Sequence, residues 1–466
     1  MNSQVNAPNA GKVLTTLNED GSRIWMRPKL AEGRFLNRRR ALGYFLIVAF
    51  LLLPFVYING NPAILLDVAA RRFHLFGFTF HPTDSALLML LMLSLFLGIF
   101  WITALFGRVW CGWGCPQTVY MELLFRPIER LIEGNAGKQR QLDLQKGLPP
   151  RRLLKYVVFF GVAFILGNQF LSYFVGWKTL ATWMSAPPWE HAGGFGVMAV
   201  TTGLVFFDFA YFREQMCTVI CPYARLQSAL LDRHSLVVGY DELRGEARRR
   251  MKARLPGDDS GDCIDCGACV HTCPTGVDIR EGLQLECIAC TQCIDACDNV
   301  MDKIGKPRGL IRLSSQHSLE TRDKPKILRA RTLIYPLIIG TLLTIMAFSF
   351  GHKGNADVTV LRQLNAPYVV LDDGLIRNQL RVKVVNRSGA AQTYSLSIPG
   401  VESASILAPQ FPLEVANDDA VTTPVFITLP RASFREGGKR DIVVHVRDED
   451  GFETDVKFTL LGPGSD

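Results

Sequence analysis

Residues 263–273 read Cys263-Ile-Asp-Cys266-Gly-Ala-Cys269-Val-His-Thr-Cys273, followed by Pro274, and residues 287–297 repeat the run as Cys287-Ile-Ala-Cys290-Thr-Gln-Cys293-Ile-Asp-Ala-Cys297, followed by Asp298. Three cysteines two residues apart can wrap a short turn around three corners of an iron–sulfur cube, whereas the fourth lies too far along to close the same one and reaches the neighbouring cluster. The doubled run therefore predicts a bacterial-type two-cluster ferredoxin-like segment. One 4Fe-4S cluster is assigned to Cys263, Cys266, Cys269 and Cys297, and its neighbour to Cys287, Cys290, Cys293 and Cys273. Zinc knuckles would need only cysteine pairs, with no third cysteine in each run. Asp298 in place of a second proline is expected to loosen the turn. His271 duplicates no ligand spacing and reads as solvent-facing or hydrogen-bonded.

The other four of the twelve cysteines form a second repeat. Cys111-Gly-Trp-Gly-Cys115-Pro116 and Cys217-Thr-Val-Ile-Cys221-Pro222 are displaced by 106 residues. Each pair follows an apolar stretch and precedes a helical pattern, over 116–133 and 222–233. Proline favours the first helical position and pushes the preceding residue out of helical geometry, so Cys115 and Cys221 are expected to be helix N-caps. A thiolate is favoured there by the helix dipole, which predicts lowered thiol pKa values. The two pairs could converge on one pseudo-symmetric redox or metal site, where four soft sulfurs suit Cu(I), zinc or a further iron–sulfur cluster. Packing of small apolar cysteines at helix ends is the alternative.

Five stretches are apolar for about the 20 residues that a bilayer crossing requires: 41–58, 86–106, 153–175, 194–212 and 332–350. Lysine and arginine are retained on the cytoplasmic side. Segments 1–40, 107–152 and 213–331 carry eight, eight and nineteen of them, against two in 59–85 and one in 176–193. This predicts a multi-pass protein of the bacterial inner membrane with its N-terminus and cysteine-rich segment in the cytoplasm and 351–466 in the periplasm. The net charge of +8 is absorbed by these loops and calls for no nucleic acid. All cysteines fall in or beside the predicted cytoplasmic segments, as reduced, metal-ready thiols should. Asp208, near the cytoplasmic end of the fourth span, is either functional or simply hydrated. Met184 and His191, on the outer side, read as packing residues.

The expected fold class is thus multi-domain. A cytoplasmic leader (1–40), read as flexible, precedes an α-helical membrane domain whose first four transmembrane helices lie within 41–235. A ferredoxin-like domain (236–331), the fifth transmembrane helix (332–350) and an all-β immunoglobulin-like sandwich (351–466) follow. Between the first two spans, the Phe-rich 59–85 reads as a small surface hairpin with structural histidines. The sandwich is predicted from alternating stretches such as 368–372, 379–386, 393–398, 424–429 and 441–447, bounded by Asp-Gly, Ser-Gly and Pro-Gly turn signals. It reads as a docking module, and its lone His445 is weak evidence for a metal site.

The sequence resembles the FixG/CcoG family, accessory factors in assembly of cbb3-type cytochrome c oxidase. The resemblance runs along nearly the whole chain. It is carried by Asp20-Gly21 with Trp25 and Arg27-Pro28, by Asn59-Gly60-Asn61-Pro62-Ala63-Ile64-Leu65-Leu66-Asp67, by Phe106-Gly107-Arg108-Val109-Trp110-Cys111-Gly112-Trp113-Gly114-Cys115-Pro116, by the doubled ferredoxin run and by the outer domain. C-x3-C-P ahead of a ferredoxin module also looks like the membrane quinol-oxidising proteins of periplasmic nitrate reduction. The resemblance implies a cupric reductase that converts Cu(II) to Cu(I) in the cytoplasm, with Cys111, Cys115, Cys217 and Cys221 at the copper site. Its implied partners are oxidase assembly factors or copper chaperones and transporters, besides the bilayer and an unassigned electron donor. Two other readings are a quinol dehydrogenase passing electrons to a redox partner, and a non-enzymatic assembly scaffold.

Overall fold

The computed structural model describes residues 15–463 apart from 19, 21, 59, 146, 252–259, 325–327, 352–353, 364–365, 400–403 and 435–437. The chain forms two compact units, Met1–Thr344 and Ile345–Asp466. The boundary expected between 235 and 236 separates no compact units, because the membrane helices and the cysteine-rich segment share the first one.

Among the described residues four helices are long and apolar enough to cross a membrane: Ser85–Phe106, Pro150–Val175, Ala192–Phe212 and Ala330–Gly351. The fifth expected span, 41–58, is not among them. Its helix starts earlier, at Arg34, carries Arg38, Arg39 and Arg40 in its first two turns, and ends at Leu52 ahead of a turn containing Pro54. Its apolar part is therefore shorter than a self-sufficient span. The helix is nonetheless fastened at both ends. Phe35 and Leu36 donate their N–H groups to the Asp295 carboxylate (3.2 and 2.7 Å), which serves as its N-terminal cap. At the other end, Gln169 donates to Phe50 O and Leu51 O and the Tyr173 hydroxyl to Phe50 O.

The segment beyond this helix folds into a three-stranded antiparallel sheet, Ile64–Asp67, Arg72–Leu75 and Phe78–Phe80, rather than a single hairpin. His74 Nδ1 lies 3.0 Å from Thr79 Oγ1 within it, a structural role as expected.

The leader, read as flexible, is instead fastened along its described part. Thr15 donates to Thr275 O, Lys29 N–H to His271 O, and Thr272 Oγ1 to Lys29 O. Arg23 pairs with Glu214 at 2.8 Å and Arg27 with Asp143 at 2.8 Å. These contacts join onto a buried ionic network. Glu129 meets Arg213 (2.7 Å) and Lys155 (3.3 Å), while Glu133 meets Lys155 at 2.8 Å. Burial alone would raise the Glu129 carboxyl; Arg213, Lys155 and Arg27 outweigh it and hold the group down to about 2.

In the second unit the sheet order is Ser405–Leu407, Ala420–Pro430, Leu375–Asn386, Ala356–Arg362, with Val369–Val370 also on Leu375–Asn386. The facing sheet runs Leu413–Val415, Gln392–Ser397, Lys439–Arg447, Glu453–Leu461. Leu380, Val382, Val384, Tyr394, Ile427 and Val446 fill the space between. This is the expected sandwich, with the alternation of Leu380, Val382 and Val384 pointing every second side chain inward.

Candidate electron-transfer site

The two ferredoxin runs fold alike. Asp265 and Ala289 occupy matching positions with φ of 48° and 52°, and Gly267 and Thr291 follow at 65° and 64°. Three of these four are not glycine, so the left-handed turns are held against a steric cost in both halves, as at sites whose geometry is over-determined. The turns curl each run around a cavity. Cys263, Cys266, Cys269 and Cys297 line one; Cys273, Cys287, Cys290 and Cys293 line the other. Each encloses about 350 Å³ with nearly all its remaining wall apolar. Cys269 reaches the wall of the second cavity too, so the two adjoin.

The cavities fit 4Fe-4S clusters in number and kind of thiols, and their equal size fits two copies of one group. Burial pushes the free thiols up, to about 12 at Cys269 and Cys297 and about 11 at Cys287. Asp298 does not loosen a turn. It lies within the helix Gln292–Lys303, where proline would break the ladder, and its carboxylate accepts from Gly309 N–H (2.9 Å) and faces Arg34 (3.6 Å).

The C-x3-C-P repeats share one sequence of backbone turns. Gly107 (φ 59°, ψ −132°) ends one span and Arg213 (φ 54°, ψ −123°) the other, 106 residues later. A wide helical turn follows in each, Trp110–Gly114 and Met216–Ile220, closed by Cys115 N–H to Trp110 O and Cys221 N–H to Met216 O, both 2.8 Å. Such turns recur at functional sites. Cys115 and Cys221 then cap helices that begin at Pro116 and Pro222, as expected. The lowered thiol pKa values do not follow. At Cys115 burial outweighs the N–H groups of Gln117 and Thr118, and the thiol rises. Burial likewise pushes Cys111 to about 11 and Cys217 to about 12.

Cys111, Cys115 and Cys221 all act electrostatically on Cys217, and Cys115 and Cys221 on Cys111, so the two pairs lie within electrostatic range of each other. No three His, Cys, Asp or Glu side chains among the described residues already stand at metal-ligating spacing. Asp208 accepts from Gln117 at 3.0 Å and raises the Cys115 thiol, which places it beside this group. Met184 and His191 sit apart, around a different recess where His191 stacks on Trp183.

The decisive contact joins the two cysteine systems. Cys111 packs with Ile288 and Cys290 in one buried cluster. A Cβ on Gly112 would stand 2.5 Å from Ile288 O and 2.9 Å from Cys290 Cα, so only glycine admits this approach. Trp113 Nε1 donates to Ala289 O, Arg39 Nε donates to Gly112 O at 2.8 Å, and Arg108 donates to Leu285 O. Cys111 Sγ itself donates to Gln227 Oε1 at 3.0 Å, and Gln227 is held by Thr103 and Tyr223. Sequence spacing pointed to none of Arg39, Arg108, Gly112 or Gln227 as a site residue. Gly112, directly after Cys111, was the available signal.

Comparison with known proteins agrees with this architecture. Residues 212–316 match a 4Fe-4S dicluster domain, 88–135 a 4Fe-4S binding domain, and 346–463 the immunoglobulin-like fold at the C-terminus of FixG. The chain is 33% identical to the nitrogen fixation protein FixG of Rhizobium meliloti, over 97% of this chain and 96% of that one. It belongs to the FixG family. Two further relatives are the proteins RdxA and RdxB of Cereibacter sphaeroides, 36% and 34% identical over 80% and 88% of this chain and 82% and 88% of theirs. The chain is a membrane iron–sulfur electron-transport protein with 4Fe-4S centres.

Proposed function

We propose that this FixG-family protein carries electrons from two 4Fe-4S clusters to the four thiols at the membrane edge and there reduces Cu(II) to Cu(I), supplying copper for assembly of cbb3-type cytochrome c oxidase. Cys263, Cys266, Cys269 and Cys297 hold one cluster; Cys287, Cys290, Cys293 and Cys273 hold the other. The clusters supply one-electron carriers when bound. Cys111, Cys115, Cys217 and Cys221 receive the copper. The observation that carries this reading is the seating of Gly112 and Cys111 directly on Ile288–Cys290, which leaves no spacer between the second cysteine set and the edge thiols.

The chain's own part is to bind and to position. Gln227 orients the Cys111 sulfur, Trp113 locks the loop to the second run, Arg108 to the segment just before it, and Arg39 ties Gly112 to the helix Arg34–Leu52. Four sulfurs favour Cu(I) over Cu(II), so one electron converts a weakly held ion into a firmly held one. Buried thiols with raised pKa values give up their protons as the metal enters. A second reading is favoured by the match of residues 88–135 to a 4Fe-4S binding domain: the edge thiols then hold a further cluster that relays electrons onward.

For the membrane arrangement we propose five crossings. The leader helix starts on the Asp295 side and ends against Gln169 and Tyr173, running alongside the Pro150–Val175 span. The lysine and arginine asymmetry supports an orientation with the cysteines in the cytoplasm and the sandwich in the periplasm.

The test is anaerobic. With the clusters reduced, Cu(II) is added, and cluster reoxidation and chelator-trapped Cu(I) are followed in wild type, Cys111→Ala and Cys217→Ala. Stoichiometric Cu(I), lost in both variants, is expected. Reoxidation that is equal in all three would move the acceptor elsewhere and overturn the copper reading.

A further inference from the structure

Among the ferredoxin cysteines, Cys266 is exposed. It opens with Cys273 into a recess of about 1520 Å³ bounded on one side by the leader. The recess thus touches one cysteine from each ferredoxin set. Its walls are of two kinds. Ile24, Trp25, Met26 and Val270 offer an apolar and aromatic face, and Trp25 is 40% exposed. Arg27, Arg140, Arg250 and Arg280 are cations of its wall, beside two carboxylates, Asp265 and Asp278; Arg27 is already paired with Asp143, and Arg250 stands 3.6 Å from Asp265. Both carboxylates are engaged by Arg280 at 2.6 Å. Arg140 and Arg250 are exposed, and the Arg250 side chain is 81% accessible.

A flat aromatic ring with an anionic tail fits these walls: the ring against Trp25 and its neighbours, a phosphate against the arginines, whose planar fork suits phosphate. Redox chemistry narrows the class. A nicotinamide donor releases a hydride, two electrons at once, whereas an iron–sulfur cluster takes one. A reduced flavin can release its electrons singly. We propose that the recess is a docking site for reduced flavin mononucleotide, the electron donor of this protein. FMNH2 leaves as FMN, one electron passes to each cluster, and two protons go to solvent. The proposal rests on the reading of the eight cysteines as cluster ligands and not on copper.

The experiment uses the full chain in detergent with clusters intact, under anaerobic conditions and without copper. FMN binding is titrated by quenching of flavin fluorescence, with riboflavin as the probe lacking phosphate. Cluster bleaching by FMNH2 is then timed against bleaching by dithionite. In the Arg140→Glu/Arg250→Glu double variant, loss of charge-assisted contacts is expected to weaken FMN binding and slow FMNH2-driven bleaching together by about tenfold to a hundredfold. Dithionite bleaching should be unchanged, which certifies the fold, and riboflavin should bind wild type more weakly than FMN. The proposal is overturned if wild type does not bind FMN, if the double variant matches wild type, or if an acidic ferredoxin reduces the clusters while FMNH2 does not. Bleaching by FMNH2 without later Cu(I) formation would sink the copper reading and leave the flavin site standing.

Discussion

In the sandwich, the interior is made of Leu380, Val384, Tyr394, Ile427 and Val446, drawn from facing sheets, and the buried polar side chains among its described residues, Asn378, Asn386, Thr423 and Thr428, are uncharged. The cysteine-bearing unit has an apolar cluster around its ferredoxin cysteines, including Val238, Ile279 and Ile294, but it also buries the ions Glu129, Arg213, Lys155, Glu133 and Glu214 and packs the backbone itself at Gly112. Apolar packing tolerates rearrangement as long as volume is kept. A paired buried charge does not, because removing one partner strands the other. The difference teaches where the molecule needs shape and where it needs position: an apolar sandwich can be elastic, but thiols that must meet one another cannot.

The largest effect should therefore come from the ionic network. Glu129→Gln leaves Arg213 buried without its paired carboxylate and Lys155 with Glu133 alone, and is expected to destabilise the cysteine-bearing unit by about 3–5 kcal/mol, read as a lowered thermal midpoint in detergent. The Glu129 carboxyl is depressed from 4.5 to about 2, so its contribution is complete above 4.5 and lost as pH falls toward 2. Wild type and variant should thus differ at neutral pH and converge in acid. Leu380→Ala opens a hole in the sandwich worth about 2–5 kcal/mol, and should leave the iron content and cluster spectrum untouched. A change in the clusters would break the separation of the two units.

Gly112→Ala attacks the contact between cysteine systems. The added carbon must displace the loop from Ile288, and misplacement on the ångström scale costs on the order of a hundredfold in rate. Both clusters should still assemble, while Cu(I) formation falls. The smallest effect belongs to Asp295→Ala, which removes the cap of the leader helix for about 1 kcal/mol. It is measured as faster proteolysis of the leader.

What the sequence made legible was whatever is written in local spacing. The doubled ferredoxin run named the cysteines that line the two cavities, including the exchange of Cys273 and Cys297, and Cys115 and Cys221, each directly before a proline, were legible as helix caps. Alternation revealed Leu375–Asn386 and Ala420–Pro430; Ala356–Arg362 and Glu453–Leu461, outside the stretches named from the sequence, complete the sheets. Hidden were the contacts between distant segments. Nothing in 15–33 announces that it straps onto residues 271–275, because its signals are single polar groups rather than a period. The thiol pKa values were misjudged for a related reason: a helix N-terminus is visible in sequence, but the burial that overrides it is a tertiary property. Arg213 could have been found by aligning the two repeats, where it stands opposite Gly107 in a conformation that favours glycine.

The central claim is that the second cysteine set and the membrane-edge thiols are in contact. Pulsed EPR can test it with Co(II) bound at Cys111, Cys115, Cys217 and Cys221 and the clusters reduced. The account predicts strong relaxation enhancement of the cluster held by Cys287, Cys290, Cys293 and Cys273, weaker enhancement of the other, and loss of both in Cys111→Ala/Cys217→Ala. Equal or absent enhancement at the two clusters, with Co(II) bound at those thiols, would contradict it.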